Sequence, residues 1–514
     1  GPGEDAPLIV SGQRLFLHRY YHLEKEVAAL ITQRNQQRDF DAEFLSKQLD
    51  KLFGGAPSEQ VDLQRLAVFQ ACSRNLAIVT GGPGTGKTSI VAKVIDLLLA
   101  ENPDTRVRLA APTGKAAMRL MESLGDGRDG GGGEKRLDDD LEVFTLHRLL
   151  GMRRDGRSFR HSEDNPIPLD VLIIDEASMV DLALMHRTLS ALPSEARLIL
   201  LGDPYQLPSV ETGNVLGDLC TAEPAFSADF CKAAAPFLGQ SARFVGQLAP
   251  TEAGNLLTDA ICRLEVSHRF ADDSAIGLFA AAIKRGDAEL GSQTSNDFIE
   301  VHDAAELDQD TCAEQLLDHW QDYLALMTQQ DAGAKALLNA FEQCRILCSR
   351  RNGFPGATAI NEAIEELLEN RRLKDRGSPY FQGRPILVTR NDYNLRLFNG
   401  DIGICVRKDN VWQVGFPSAD GELRFFLATR LPVHETCYAM TVHKSQGSEF
   451  DRVILMLTEE SGGEADDLLT RELVYTGLTR SRQFVTLYCN PDDWQAIMQR
   501  TAQRTSGMTD FLSS

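Results

Sequence analysis

The sequence predicts an α/β protein of two lobes, each a parallel sheet with helices on both faces. A β-hairpin insertion is expected in the first lobe, a small all-β insertion in the second, and a short helical piece at the N-terminus. Three observations carry this. Apolar strand-like runs at Leu76–Thr80, Val107–Ala111, Val171–Ile174 and Leu198–Leu201 alternate with amphipathic stretches, as crossover-connected parallel strands do. A second alternating block begins near Ile261 and ends near Cys489. At 514 residues the chain is also too long for a single hydrophobic core. The expected organisation is residues 1–57 as a helical piece, 58–260 as the first lobe and 261–514 as the second.

Taken in order, Leu23 to Ile31 and Phe40 to Leu52 carry apolar residues at helical spacing, and Gly54-Gly55-Ala56-Pro57 breaks the chain. Gly1-Pro2-Gly3 reads as the remnant of a cleaved tag, so the natural protein is expected to begin upstream. Gly125-Asp126-Gly127-Arg128-Asp129-Gly130-Gly131-Gly132-Gly133 is low in complexity and reads as a flexible surface loop or a linker. Within 151–168, an Asp155-Gly156 turn between short strand-like pieces signals a hairpin carrying Phe159. Within 383–431, Pro385–Val388, Gly403–Val406, Val411–Phe416 and Leu423–Leu427 read as short strands of the all-β insertion.

Composition narrows the class. No apolar run approaches the roughly 18 residues of a membrane helix, and no secretory leader pattern opens the chain. The ten cysteines are scattered, and Cys344 with Cys348 lacks a second pair for zinc. Free thiols in a reducing cytoplasm are expected. A net charge of −21 disfavours an autonomous nucleic-acid clamp, but charge is a global sum and a local basic track is compatible with it.

Gly81-Gly82-Pro83-Gly84-Thr85-Gly86-Lys87-Thr88 follows a strand and opens a helix, the pattern GxxxxGK[ST] of a phosphate-binding loop. Glycines admit a phosphate where a Cβ would exclude it, and the helix N-terminus adds positive potential. Gly82, Pro83, Gly84, Thr85 and Gly86 are therefore expected to bind ATP, with Lys87 on the β- and γ-phosphates and Thr88 on Mg²⁺. Asp175 and Glu176 end the strand Val171–Ile174. Asp175 suits Mg²⁺, and Glu176 suits the deprotonation of an attacking water. Kinases, switches and transporters share these two motifs.

Gln206, in Gly202-Asp203-Pro204-Tyr205-Gln206-Leu207, is placed to sense the γ-phosphate from the first lobe, and Gln64 has an amide suited to adenine. Arg269 and Arg480 are candidates to reach the transferring phosphoryl group across a cleft, although either alone reads equally well as a surface ion pair.

The ordered set of Gln64, the Lys87 loop, Ala111-Pro112-Thr113-Gly114-Lys115, Thr145-Leu146-His147-Arg148, Asp175-Glu176-Ala177-Ser178, the Gln206 segment, Arg269, Thr441-Val442-His443-Lys444-Ser445-Gln446-Gly447 and Val474-Tyr475-Thr476-Gly477-Leu478-Thr479-Arg480 resembles the motifs of superfamily-one helicases. Within the branch that travels 5′ to 3′, the chain is most similar to the RecD family, from about Ala6 onward. The resemblance implies two RecA-like lobes, an SH3-like character for the 383–431 insertion, and ATP-driven unwinding in a double-strand-break-processing helicase–nuclease. It implies single-stranded DNA and duplex ends as substrates, and RecB-like and RecC-like subunits as partners. It places Pro112, Thr113 and His147 on the first lobe, and Thr441 and His443 on the second, along the DNA backbone. It also makes the hairpin a duplex wedge and Asn391 and Asn399 strand contacts, for which a turn role reads nearly as well. Two readings stay open beside it: a regulatory DNA-binding ATPase subunit that switches a partner without unwinding, and an RNA helicase of the same lobes. No set of acidic residues beyond Asp175 and Glu176 reads as a nuclease centre. The resemblance also implies a further N-terminal domain, which is not expected within these residues.

Overall fold

The computed structural model describes residues 7–54, 61–126, 142–153, 158–248, 256–270, 274–289, 298–308, 311–329, 332–392, 394–418, 421–458, 469–502 and 506–512. The chain divides into two units. The first comprises Gly1–Pro204, Pro208–Arg269 and Gln503–Ser514, and the second Tyr205–Leu207 and Phe270–Ala502.

In the first unit, a hairpin of β1 (Leu8–Ser11) and β2 (Arg14–Leu17) precedes helices α1 (His18–Arg34), α2 (Ala42–Phe53) and α3 (Leu63–Ser73). The sheet contains β3 (Leu76–Gly81), β4 (Val107–Ala111), β5 (Val143–Thr145), β6 (Val171–Ile174), β7 (Arg197–Gly202) and β8 (Ile261–Leu264), in the order β5-β4-β6-β7-β3-β8. Every neighbouring pair is parallel. β3, β6 and β7 are buried along their whole length, which is why they read as continuous apolar runs. Alternate residues feed two cores. Leu76, Ile78, Leu172, Ile174 and Leu198 pack with Val27 and Ile31 of α1, while Ala77, Val79, Ile173 and Ile199 pack with α3 and with α4 (Lys87–Glu101).

Three boundaries differ from the sequence reading. β8 pairs with β3 as an edge strand of the first sheet, so the first unit runs to Arg269 rather than ending at 260. The N-terminal helices are part of the first unit, because α1 completes one of its cores. Met508 and Leu512 join that same core, which returns the C-terminus to the first unit.

The second unit's strands, in chain order, are β9 (Ile299–His302), β10 (Cys344–Cys348), β11 (Pro385–Val388), β12 (Ile402–Lys408), β13 (Val411–Pro417), β14 (Leu423–Leu427), β15 (His434–Thr436), β16 (Ala439–Thr441), β17 (Phe450–Leu457) and β18 (Ser481–Cys489). A parallel sheet has the order β16-β10-β17-β18-β9. The insertion is a separate antiparallel sheet, β14-β13-β12-β11-β15, around Ile386, Val388, Cys405, Val414 and Phe416. It extends past Leu431 to Thr436, because β15 pairs with β11. The whole is α/β with two RecA-like parallel-sheet lobes.

The hairpin at 151–168 is sparse. Single bridges join Met152 to Phe159 and Ser162 to Asn165, and the Asp155-Gly156 turn lies outside the described residues. Of the glycine-rich run, Gly125 and Asp126 end helix α5 (Gly114–Asp126), and 127–133 lie outside the described residues. Among the described residues no disulfide forms, and all ten cysteines but the half-buried Cys231 are buried. Among the described residues no helix is long and apolar enough to cross a membrane.

Candidate nucleotide and DNA sites

The phosphate loop joins β3 to α4. Gly84 and Gly86 take positive φ of 76° and 89°, the region a side chain resists, and Gly86 caps α4. A Cβ on Gly84 would strike Cβ of Arg269, and one on Gly86 would strike the Gln64 amide. The loop is laced from within and from outside. Thr85 Oγ1 donates to Gly82 O at 2.9 Å, and Lys87 Nζ donates to Gly81 O at 2.7 Å and Gly82 O at 3.0 Å. Gln64 Nε2 donates to Thr85 O at 3.0 Å and stands 2.9 Å from His268 Nε2. Ser267 Oγ donates to Pro83 O at 2.9 Å, and the His268 amide donates to Gly84 O at 2.8 Å.

Two of these contacts revise the sequence reading. Arg269, expected to arrive across a cleft, belongs to the first unit, where its backbone lies against Gly84. Ser267 and His268 brace the loop, a role the sequence does not disclose, because the contact spans 184 residues.

Asp175 directly follows β6, its amide bonded to Ala110 O at 2.9 Å. Burial first, then the Glu176 charge, raises its carboxyl above the usual range, while Lys87 and Arg119 oppose the shift. Glu176 has φ 51°, the left-handed region that is uncommon for a side-chain-bearing residue, and its amide donates to Asp175 Oδ1 at 2.9 Å. Mg²⁺ favours one or two protein oxygens completed by phosphate and water. The half-buried Thr88 hydroxyl in the first turn of α4 and the Asp175 carboxylate are oxygens of the kind Mg²⁺ takes, and the Lys87 charge acts on Asp175.

Gln206 is 6% exposed and lies in the second unit, not the first. Its neighbours are pinned there. The Leu207 amide donates to Thr476 Oγ1 at 2.8 Å, and Leu207 O accepts from Gln446 Nε2 at 2.9 Å. Tyr205 meets Tyr475 edge-on, and Lys284 Nζ lies 5.0 Å from each ring centre. Arg480 is buried in the second unit, donating from Nε to Thr476 O at 3.2 Å and from Nη1 to Ser448 O at 3.4 Å.

The DNA-track candidates divide. Pro112 and Thr113 are half-buried between β4 and α5, and Thr113 Oγ1 accepts from Ala116 N at 3.2 Å, a helix-capping bond. His147 is half-buried, its pKa lowered by burial and by Arg187 against Asp181. Phe159, of the hairpin, is half-buried against the body of the unit, 6.2 Å from the His147 ring and 4.9 Å from Arg187 Cζ. Thr441 and His443 are half-buried at the end of β16 and in the turn Val442–Ser445. Asn391 and Asn399 are exposed, and Asn391 Oδ1 accepts from Asn399 N at 2.8 Å, which closes a loop as a turn asparagine does.

A family model described as AAA domain matches residues 64–212, and one described as UvrD-like helicase C-terminal domain matches 436–488. The RecBCD enzyme subunit RecD of Haemophilus influenzae is 32% identical over 543 residues, covering 99% of this chain and 81% of its own. That of Mycolicibacterium smegmatis is 36% identical over 530 residues, covering 99% and 84%. The ATP-dependent RecD2 DNA helicase of Deinococcus radiodurans is 30% identical over 522 residues, covering 98% and 60%.

Proposed function

The chain belongs to the RecD family and is an ATP-dependent DNA helicase, and from that premise we propose that it travels 5′ to 3′ on single-stranded DNA as the motor subunit of a break-processing helicase–nuclease. The observation that carries the reading is the braced phosphate loop beside a strand-end Asp175-Glu176 pair, in one chain with the Gln206, Thr441–Gln446 and Arg480 segments.

The loop amides and Lys87 hold the phosphates of ATP. Lys87 exchanges its bonds to Gly81 O and Gly82 O for the β- and γ-phosphate oxygens. Thr88 and Asp175 would hold Mg²⁺, which would supply positive charge against the phosphates. Glu176 orients the attacking water and accepts its proton on the carboxylate. Gln206 reports the γ-phosphate, and Arg269 and Arg480 steady the transferred group. Thr441 and His443 on the second unit, and Pro112, Thr113 and His147 on the first, grip the DNA backbone without reading sequence. RecB-like and RecC-like chains are the expected partners, since the named relatives are subunits of RecBCD. The cell compartment expected for such a motor is the cytoplasm.

The deciding experiment is steady-state ATP hydrolysis with and without single-stranded DNA, wild type against Lys87→Ala, followed by displacement from 5′-tailed and 3′-tailed duplexes. DNA-stimulated turnover lost in the variant, with unwinding of the 5′-tailed substrate alone, is expected. Hydrolysis indifferent to DNA would favour the partner-switching ATPase, a reading that the net charge of −21 supports. Unwinding of only the 3′-tailed substrate would reverse the direction.

A further inference from the structure

Two cations of the second unit converge on one carboxylate. Glu435, on β15, receives Lys444 Nζ on Oε1 at 2.5 Å and Arg351 Nη2 on Oε2 at 3.0 Å. Lys444 sits in the turn that follows Thr441, and Arg351 in the loop between β10 and the helix Ala357–Asn370. With Thr358, Asn361 and Thr441 these three side chains line an open cavity of about 290 Å³. Asn361 bonds both backbone groups of Ala439, Nδ2 to its carbonyl at 2.8 Å and Oδ1 from its amide at 2.9 Å, so the strand leading to Thr441 is fixed against this wall.

The Glu435 cluster differs from the other ion pair on the same cavity. Glu365 holds Lys374 at 2.8 Å with side chains only 20% and 11% exposed, and it also engages Arg384 and Thr436. That is an internal network whose loss would strand buried charge. In the Glu435 cluster, Glu435 is 30% exposed, Lys444 27% and Arg351 62%. Pairs this open contribute little to folding and exchange readily with solvent or with another anion. A carboxylate with one cation on each oxygen presents the geometry in which a phosphate offers two oxygens to two cations.

We propose that Arg351 and Lys444 form a seat for one backbone phosphate of single-stranded DNA, and that Glu435 is its built-in competitor. The proposal rests on the reading of Thr441 and His443 as part of the DNA track. An arriving phosphate takes both cations and the carboxylate turns to solvent. When the strand moves on, the carboxylate returns. A grip that must release in every cycle is thereby kept from binding too tightly.

The test measures binding of a short fluorescent oligodeoxythymidine to the full chain by anisotropy. Glu435→Gln keeps the shape and removes the charge, and it is expected to tighten binding about tenfold, one charge-assisted phosphate contact no longer contested. Glu422→Gln, an exposed acid paired with Lys335, is expected to change nothing. In an Arg351→Ala/Lys444→Ala background the gain from Glu435→Gln is expected to vanish. Unchanged or weaker binding by Glu435→Gln overturns the proposal, as does an equal gain in the background lacking both cations. Should Glu435→Gln fold poorly, Arg351→Ala alone decides, since affinity equal to wild type removes the seat. If wild type and all variants bind no oligonucleotide, the DNA-track reading falls and the seat with it. Wild-type binding that Glu435→Gln leaves untouched removes the seat alone.

Discussion

Replacing Thr476 with valine tests how Gln206 is held. Thr476 Oγ1 accepts the Leu207 amide at 2.8 Å, in a place where Thr476 is fully buried and Leu207 is 4% exposed. Valine fills nearly the same volume without the acceptor, so the change strands one buried N–H at a cost of about 1–3 kcal/mol. Leu207 keeps its bond from Gln446 and Tyr205 keeps its contacts to Tyr475 and Lys284, so the segment remains in place but loses one of its restraints. Gln206, between the two anchored residues, is then held less firmly. The rate of ATP hydrolysis at saturating DNA should fall about tenfold, since about 1.4 kcal/mol is one decade. KM for ATP should stay within about twofold, because no group of the phosphate loop is altered. Thr476→Ser retains the hydroxyl and should retain most of the rate. The assay is steady-state hydrolysis across ATP concentrations for the three proteins, with thermal melting beside it. A rate unchanged in Thr476→Val, or a KM that rises as far as the rate falls, would refute the role given to this bond.

Three further outcomes are expected. Glu176→Gln should bind ATP with near wild-type affinity, by fluorescent-analogue titration, while turnover falls by roughly 10²–10⁴-fold, the range of a lost general base; wild-type turnover would take Glu176 out of the chemistry. Gly84→Ala should lower nucleotide affinity at least about tenfold and lower the melting temperature, because its φ of 76° costs an alanine roughly 1–2 kcal/mol and the new Cβ meets Arg269. Binding of single-stranded DNA should strengthen with acidification only below the ordinary histidine range, because burial and Arg187 lower the His147 pKa and only its protonated form adds charge attraction. His147→Asn should lose that increment, and identical pH profiles for the two proteins would exclude His147 from the track.

What the sequence discloses follows from how local each signal is. β4 and β6 are legible to the residue: β6 is buried and apolar throughout, as a strand covered on both faces must be, and β4 departs from that only at the half-buried Arg108. β5 is three half-buried residues at a sheet edge and leaves no such run. β8 reads from sequence only as the start of a second alternating block, since its pairing with β3, far away along the chain, has no local mark. β15, His434-Glu435-Thr436, is short and polar, and only its pairing with β11 makes it a strand. The site divides in the same way. Glycines record the backbone of the phosphate loop, so Gly84 and Gly86 are readable, and so is the helix they open. The Ser267 and His268 brace, the Thr476 clamp and the packing of Phe159 under Arg187 are tertiary contacts, and tertiary contacts leave no spacing to read.

The acidic balance of the chain bears on the mechanism through local pairs rather than through the sum. A net charge of −21 repels a polyanion at long range, but salt screens exposed charges beyond about 10 Å, so the grip is decided by the groups that meet the phosphates. At the proposed second-unit grip those groups are Arg351 and Lys444, and each is already matched to an oxygen of Glu435. Backbone contact there is an exchange of anions rather than a plain gain of one, and its free energy is correspondingly small. A static clamp would be poorly served by this, because its affinity would fall. A motor is better served, because the barrier to letting go of each phosphate falls by the attraction that Glu435 supplies on release. On the proposed exchange, the acidity that argues against a clamp is, at this position, what weakens the grip for release.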